Sequence, residues 1–295
     1  MTKVLILGAS GMLGSMVARV LRNEHGIEVT STSRTASAAG AHDVEFDAAR
    51  DPLEPLLESD SYSWVINAIG ILKAQIDDAN ARSIANAIEI NSLFPYRLAA
   101  ATARRNQRVI QIATDGVFAG TRGPYNEASA HDAVDVYGKT KSLGEVPASN
   151  VISLRCSILG LDPGAPKSFL SRILAAPPGA ELAGYTAQMW NGITTLHFAR
   201  LCMATILATS TRSAQHIIPA DRLSKYELVR TALAAFNRKD VSVRPEPGPE
   251  EIDRTLDTKY GNENRRLWAA AGYEQPPMIS AMLRELASFR TADRT

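Results

Sequence analysis

Tyr137-Gly138-Lys139-Thr140-Lys141 sets a phenol and an ammonium four residues apart, the spacing that puts two side chains on one helix face. A phenol titrating at about 10 is a poor acid–base group at neutral pH. A neighbouring ammonium stabilises phenolate and draws that value toward the working range. The same lysine can hydrogen-bond a cofactor ribose. Tyr-x-x-x-Lys also arises by chance on solvated helices, so the pair needs a context, and Ile112-Ala113-Thr114-Asp115 offers one. It reads as the end of a strand, where a threonine hydroxyl can hydrogen-bond a carbonyl oxygen as negative charge develops on it. The alternative for Thr114 is a bond to its own turn. Thr114, Tyr137 and Lys141 together point to carbonyl redox chemistry.

Such chemistry needs a cofactor, and the chain opens on a stretch suited to hold one. Val4-Leu5-Ile6-Leu7 is an unbroken apolar run of the kind covered on both faces of a sheet. The chain then turns through Gly8, Gly11 and Gly14. It enters a helical pattern whose apolar stripe is Leu13, Met16, Val17, Val20 and Leu21. Glycines let backbone approach a phosphate, and a helix N-terminus offers free N–H groups and the positive end of its dipole. The spacing is G-x-x-G-x-x-G rather than G-x-G-x-x-G. Ser10, Met12 and Leu13 fall inside this turn and belong with the glycines as expected cofactor contacts.

The first half alternates strand and helix, which predicts an α/β fold with a doubly wound parallel sheet. Strands are expected at 28–32, 44–46 (closing on Asp47), 64–68, 109–113 and 151–155, with a long helical stretch over 83–105. From Leu161 the alternation stops at Pro163, Pro166, Pro177 and Pro178. A helix over 195–207, a strand at 216–218, a capping box at Ser224 and Glu227, and a stiff loop at Pro245, Pro247 and Pro249 follow. Ile279, Met282, Leu283 and Leu286 mark a terminal amphipathic helix. The expected division is a nucleotide-binding Rossmann domain, 1–160 plus 191–218, and a smaller, discontinuous substrate domain, 161–190 plus 219–295.

Bulk properties narrow the classes. The 295 residues are 45% hydrophobic and carry a net charge of +1, with no basic tract. Neither nucleic acid nor a membrane is expected as partner. Cys156 and Cys202 show no metal-type spacing, nor do the five histidines, so no metal is assigned. With a strand at the N-terminus and no long apolar span, a cytoplasmic location is the expectation.

The motifs together resemble the extended short-chain dehydrogenases/reductases, and within them the dTDP-4-dehydrorhamnose reductase group of nucleotide-sugar reductases. The resemblance runs through GASGMLG at 8–14, VINAIG at 65–70, EINSLFPYRLA at 89–99 and ATDGVFAG at 113–120. It continues in YGKTKSLGE at 137–145, LRCSILG at 154–160, NGITT at 191–195 and SKYEL at 224–228. It implies that Gly8, Gly11 and Gly14 hold a pyrophosphate and that Ala68, Ile69 and Gly70 pass along the cofactor. Asn91 would face the site from the central helix, and Thr114, Tyr137 and Lys141 would be the catalytic triad. Three departures bear on the sugar: Gly116 replaces an aromatic residue, Cys156-Ser157-Ile158 lacks the usual tryptophan, and Arg254-Thr255-Leu256-Asp257 stands in a reshaped C-terminal stretch.

The second expected strand ends at Ser33-Arg34 without a carboxylate until Asp43. A guanidinium there can fork onto a 2′-phosphate, with Ser33 adding a hydroxyl, so NADPH is the expected cofactor; Asp47 is a further cofactor contact. Asp115, Lys167, Arg172, Trp190 and Arg254 are the candidate substrate residues. Solvated surface is the competing reading for Lys167 and Arg172, and core packing for Trp190. The expected activity is NADPH-dependent reduction of a nucleotide-linked 4-keto-6-deoxysugar, with Tyr137 as proton donor. The alternatives are an epimerase or dehydratase that retains its NAD(P), and a non-catalytic regulatory subunit. A homodimer is compatible with a sequence that is silent on assembly.

Overall fold

Seven strands hydrogen-bond into the main sheet of this computed structural model, which describes residues 1–35, 43–208 and 214–291. The first six are β1 (Thr2–Leu7), β2 (Ile27–Ser33), β3 (Asp43–Glu45), β4 (Trp64–Asn67), β5 (Arg108–Ala113) and β6 (Val151–Arg155). Later come β7 (Ile158–Leu159), β8 (Glu181–Tyr185), β9 (Gln188–Trp190), β10 (Ile193–Thr194) and β11 (Ala214–His216), then β12 (Leu223–Ser224), β13 (Ser242–Glu246) and β14 (Ile252–Asp253). The sheet order is β11-β6-β5-β4-β1-β2-β3, and every pairing from β3 across to β6 is parallel. Val4 to Leu7 and Val65–Ile66 are wholly excluded from solvent, as unbroken apolar runs require when helices cover both faces. The fold is a Rossmann-type α/β architecture.

The helices are α1 (Met12–Arg22), α2 (Leu53–Glu58), α3 (Ala81–Ile88), α4 (Phe94–Ala103), α5 (Val136–Leu143), α6 (Phe169–Leu174), α7 (Thr195–Ala208), α8 (Lys225–Ala235), α9 (Gly261–Ala270) and α10 (Ile279–Thr291). The chain divides into two compact units. The first holds residues 1–118, 130–155 and 205–215; its core gathers Leu5, Leu7, Phe46, Leu57, Val65, Phe94, Leu98 and Val109. The second holds 119–129, 156–204 and 216–295. Segments 119–129, 156–160, 191–204 and 216–218, expected with the nucleotide half, thus cluster with the second unit.

Three local expectations change. The helical stretch over 83–105 is broken: α3 and α4 flank a π-turn, Glu89–Leu93. The strand expected at 216–218 sits two residues earlier, as β11. Pro245 lies in β13 rather than in a loop. It is tolerated because β13 pairs, among the described strands, only with β8, and a two-stranded ribbon leaves each strand an edge that needs no N–H. The capping box forms as expected: Ser224 Oγ accepts from Glu227 N at 3.2 Å, and Glu227 Oε2 accepts from Ser224 N at 2.8 Å.

In the second unit, Ile279, Met282, Leu283 and Leu286 of α10 are all fully buried. Beside them Glu285 accepts from Arg200 (2.5 Å) and Tyr273 Oη (3.0 Å), with His197 Nε2 at 3.6 Å. These neighbours, His197 foremost, hold the Glu285 carboxyl down to about 2.

Candidate active site

Register places the predicted site residues at one edge. Leu7 pairs with Asn67, and Asn67 with Gln111, so β1, β4 and β5 run out together. The segments that leave them are the glycine turn, Ala68–Ile69–Gly70, and Thr114. Buried Asn67 shapes the second: its Nδ2 donates to Gln111 Oε1 at 2.9 Å, and its Oδ1 accepts from Ile69 N at 3.1 Å.

The glycine turn has the form an anion needs. Gly8 adopts φ +82°, which an L side chain rarely takes, and Thr32 Oγ1 accepts from its N–H at 3.2 Å. A Cβ on Gly14 would lie 2.3 Å from Gly8 O, so α1 can approach this closely only with glycine there. The N-cap of α1 is Gly11, which offers no capping side chain. The first N–H groups of the helix, at Met12 and Leu13 just past exposed Ser10, are therefore left for a ligand. These residues fit a dinucleotide pyrophosphate.

Of the expected ribose contacts, Arg34 is exposed just past β2, while Ser33 is buried with its hydroxyl donating to Thr35 O at 2.5 Å. Asp47 caps its own turn, accepting from Ala49 N at 2.9 Å. Asn91 sits in the π-turn, buried, and clamps the segment after Gly70. Its Oδ1 accepts from Ile71 N at 2.9 Å, and its Nδ2 donates to Ile71 O at 3.0 Å and Thr140 Oγ1 at 3.3 Å. A π-turn aims side chains differently from an α-turn, and such turns recur at functional sites.

Helix α5 carries the phenol and the ammonium. Asp135 starts it by accepting from Gly138 N at 2.7 Å, and its second oxygen takes Lys73 Nζ at 2.6 Å. Tyr137 Oη donates to Thr114 Oγ1 at 3.4 Å. Thr114 Oγ1 also accepts from Gly116 N at 3.0 Å, so the hydroxyl serves its own turn and the phenol at once. Burial pushes the Tyr137 phenol up to about 12, with Asp115 and Asp135 adding to the effect and the Thr114 bond opposing it. Lys141 Nζ donates to Ile112 O at 3.1 Å, and burial brings its ammonium down to about 8. The phenol is thus held protonated, whereas the sequence suggested a phenol lowered by its lysine. A proton held at Tyr137 Oη is what a donor to a nascent alkoxide requires.

Beyond the triad lies a polar cluster to which sequence alone gives no role. Glu145 follows Lys141 by four residues and accepts from Arg155 Nη2; both side chains are largely buried. Arg155 Nη1 donates to His131 Nε2 at 2.9 Å and its guanidinium lies 5.2 Å from the Phe118 ring centre. A guanidinium only donates, so His131 Nε2 is the acceptor and its Nδ1–H points to Ser142 Oγ, at 2.7 Å. Removing one partner of a buried ion pair costs about 3–5 kcal/mol, so breaking the Glu145–Arg155 pair would cost its unit stability on that scale.

Asp115 lies in the first unit beside Thr114; the other substrate candidates lie in the second unit. Lys167 and Arg172 are exposed, and Arg254 is half-buried beside Gly120. Trp190 is buried, donating from Nε1 to Ser157 Oγ at 2.7 Å, with Lys225 Nζ 5.8 Å from its ring centre.

Residues 1–266 match the family described as RmlD substrate binding domain. The chain belongs to that family. Among its relatives is a dTDP-4-keto-6-deoxy-D-glucose reductase of Streptomyces niveus, 24% identical over 278 residues, covering 91% of this chain and 90% of the relative. The spore coat polysaccharide biosynthesis protein SpsK of Bacillus subtilis (strain 168) is 30% identical over 147 residues, 49% of this chain and 47% of the relative. A dTDP-4-dehydrorhamnose reductase structure from Clostridium acetobutylicum ATCC 824 superposes with a TM-score of 0.77 at 22% identity, covering 98% of this chain and all of that one. The Bacillus anthracis str. Ames dTDP-4-dehydrorhamnose reductase, solved in complex with NADP, gives a TM-score of 0.77 at 17% identity over 97% and 98% of the two chains. These superpositions establish the shared fold of the RmlD-family chain.

Proposed function

We propose that this protein is an NADPH-dependent reductase of a nucleotide-linked 4-keto-6-deoxysugar. The observation that carries the reading is the Tyr137–Thr114 pair at the outlet of β5, beside a glycine turn built for a pyrophosphate. A nicotinamide held there would supply hydride. Tyr137 holds the proton that the carbonyl oxygen gains, Thr114 orients the phenol and polarises that oxygen, and Lys141 offers an ammonium to the ribose. Relatives named as reductases of dTDP-linked sugars, and a neighbour solved with NADP, support the assignment. Arg34 favours the 2′-phosphorylated cofactor.

The second unit, with Lys167, Arg172, Trp190 and Arg254, is assigned the recognition of the nucleotide sugar. Remote binding of the nucleotide then helps to orient the carbonyl. Absorbance of added NADPH should fall in proportion to a dTDP- or UDP-linked 4-keto-6-deoxysugar, while the free sugar is essentially inert. Turnover without net NADPH consumption would replace this reading with an epimerase or dehydratase, and binding without turnover with a regulatory subunit. Neighbours solved with NAD and UDP-sugars, including a Bacillus cereus UDP-glucuronic acid 4-epimerase at a TM-score of 0.75 and 14% identity, make the first of these rivals concrete.

A further inference from the structure

The Lys141 side chain is only partly exposed, and the single hydrogen bond described for its ammonium goes to a neutral carbonyl, Ile112 O. A buried cation without an ionic counterpart tends to lose its proton. The sheet and helix together bring one counterpart close. Ile112 and Ala113 of β5 pair with Leu154 and Arg155 of β6, so the carbonyl that holds Lys141 and the base of the Arg155 side chain are near neighbours. Arg155 in turn holds Glu145, which stands just past the Gly144 C-cap of α5, four residues after Lys141. The second carboxylate oxygen, Oε1, is buried and has no hydrogen-bond partner among the described residues.

We infer that Glu145 is a positioning residue for Lys141: its carboxylate, anchored by Arg155, is the counter-charge that keeps the lysine protonated in its buried seat. The inference rests on the cofactor role given to Lys141 above only for its functional meaning, since the charge relationship is a property of the free protein. Electrostatics agree with the geometry: Glu145 raises the Lys141 ammonium against burial, while burial raises the Glu145 carboxyl and Arg155 first, then Lys141, pull it back toward the ionised form. Other charged groups on or beside α5 are Asp135 at its N-cap, engaged with Lys73 and Gly138 N; Asp78, which accepts from Val136 N; exposed Lys139 on α5 itself; Asp115 on the turn after β5; Arg82 on α3; and Glu89 on the π-turn, paired with Arg97. None of these contributes resolvably to Lys141, whereas Glu145 does. His131 Nε2 takes the other terminal nitrogen of the guanidinium, Nη1, and lies 3.9 Å from Glu145 Oε2, so it closes the same cluster.

The test reads Lys141 directly. Competitive acetylation of the apo protein across neutral to alkaline pH, quantified on the Lys141 peptide by mass spectrometry, gives its titration midpoint; exposed Lys139 on the same helix is the internal control. Glu145→Gln, which keeps the shape and removes the charge, should lower the Lys141 midpoint by about one pH unit or more and leave Lys139 unmoved. Glu145→Asp retains the pairing with Arg155, so it serves if the glutamine variant does not fold, and should give a smaller shift in the same direction. An unmoved Lys141 midpoint in a folded variant would overturn the inference and leave the cluster a purely structural ion pair. NADPH affinity, followed over the same pH range, should weaken toward alkaline pH earlier in Glu145→Gln than in wild type. If the midpoint shifts and NADPH affinity does not follow, the inference stands and the cofactor role of Lys141 falls.

Discussion

Gly116 stands against the edge of the Tyr137 ring so closely that a Cβ at position 116 would lie 2.7 Å from Cε1 and 3.3 Å from Thr114 Oγ1. The glycine is therefore part of the geometry that delivers the phenol to Thr114. It is also one of the positions where the chain departs from the dTDP-4-dehydrorhamnose reductase pattern.

Gly116→Ala should push the ring aside and lengthen its bond to Thr114. The expected outcome is a fall in kcat of about tenfold or more with little change in NADPH affinity, since misplacing a catalytic group by about 1 Å can cost on the order of a hundredfold. Steady-state kinetics alongside a cofactor-binding titration checks it; an unchanged kcat would show that the ring relocates without loss.

Tyr137→Phe keeps the ring packing and removes the hydroxyl that the proposed function makes the proton donor. General acid catalysis contributes roughly 10²–10⁴-fold, so kcat should drop on that scale while the cofactor still binds. Near-wild-type turnover would remove Tyr137 from the mechanism.

In the proposed function, Arg34 makes the choice between cofactors. One charge-assisted hydrogen bond is worth about 1.5–3 kcal/mol, which corresponds to about a ten- to hundredfold preference for NADPH over NADH in kcat/KM. Arg34→Ala should erase most of that preference. Equal kcat/KM for the two cofactors in the wild type would refute the assignment.

Glu285 links stability to acid. Its folded carboxyl, held chiefly by His197 and further by Arg200 and Tyr273, titrates at about 2, below the ordinary glutamate value of about 4.3. A depressed folded value means that the stabilisation is complete above the ordinary value and is lost as pH falls toward about 2. Glu285→Gln should therefore be less stable than wild type near neutrality, with the gap in unfolding midpoint closing through that acid window. A gap independent of pH would assign the effect to packing instead.

What could be read in the sequence was whatever depends on neighbours along the chain. The i, i+4 pair Tyr137 and Lys141, the glycine turn after an apolar strand and the Ser224–Glu227 box all declare themselves by spacing. The π-turn around Asn91 did not, because the residues of 83–105 suit a continuous helix and the extra backbone width is set by what the turn packs against. Nor did the partnership of Glu145 with Arg155, which depends on β6 returning beside β5. The actual state of the Tyr137 phenol was equally hidden, since burial rather than the nearby lysine decides it. Pro245 suits a loop by residue type, and only the two-stranded pairing of β13 with β8 shows that a strand can hold it.

The π-turn at Glu89–Leu93 has a consequence for helical phase. Bonding to the fifth residue instead of the fourth slips one residue out of step, an angular offset of about 100° between the stretches on either side. The inward face of α4, with Phe94, Leu98, Ala101 and Thr102, is therefore not the continuation of the face that α3 sets with Ala87. The two stretches work like gears keyed to different teeth. Deleting a single residue from the turn would restore an even winding and rotate one stretch against its neighbours, a far larger disturbance than any substitution in the same five positions.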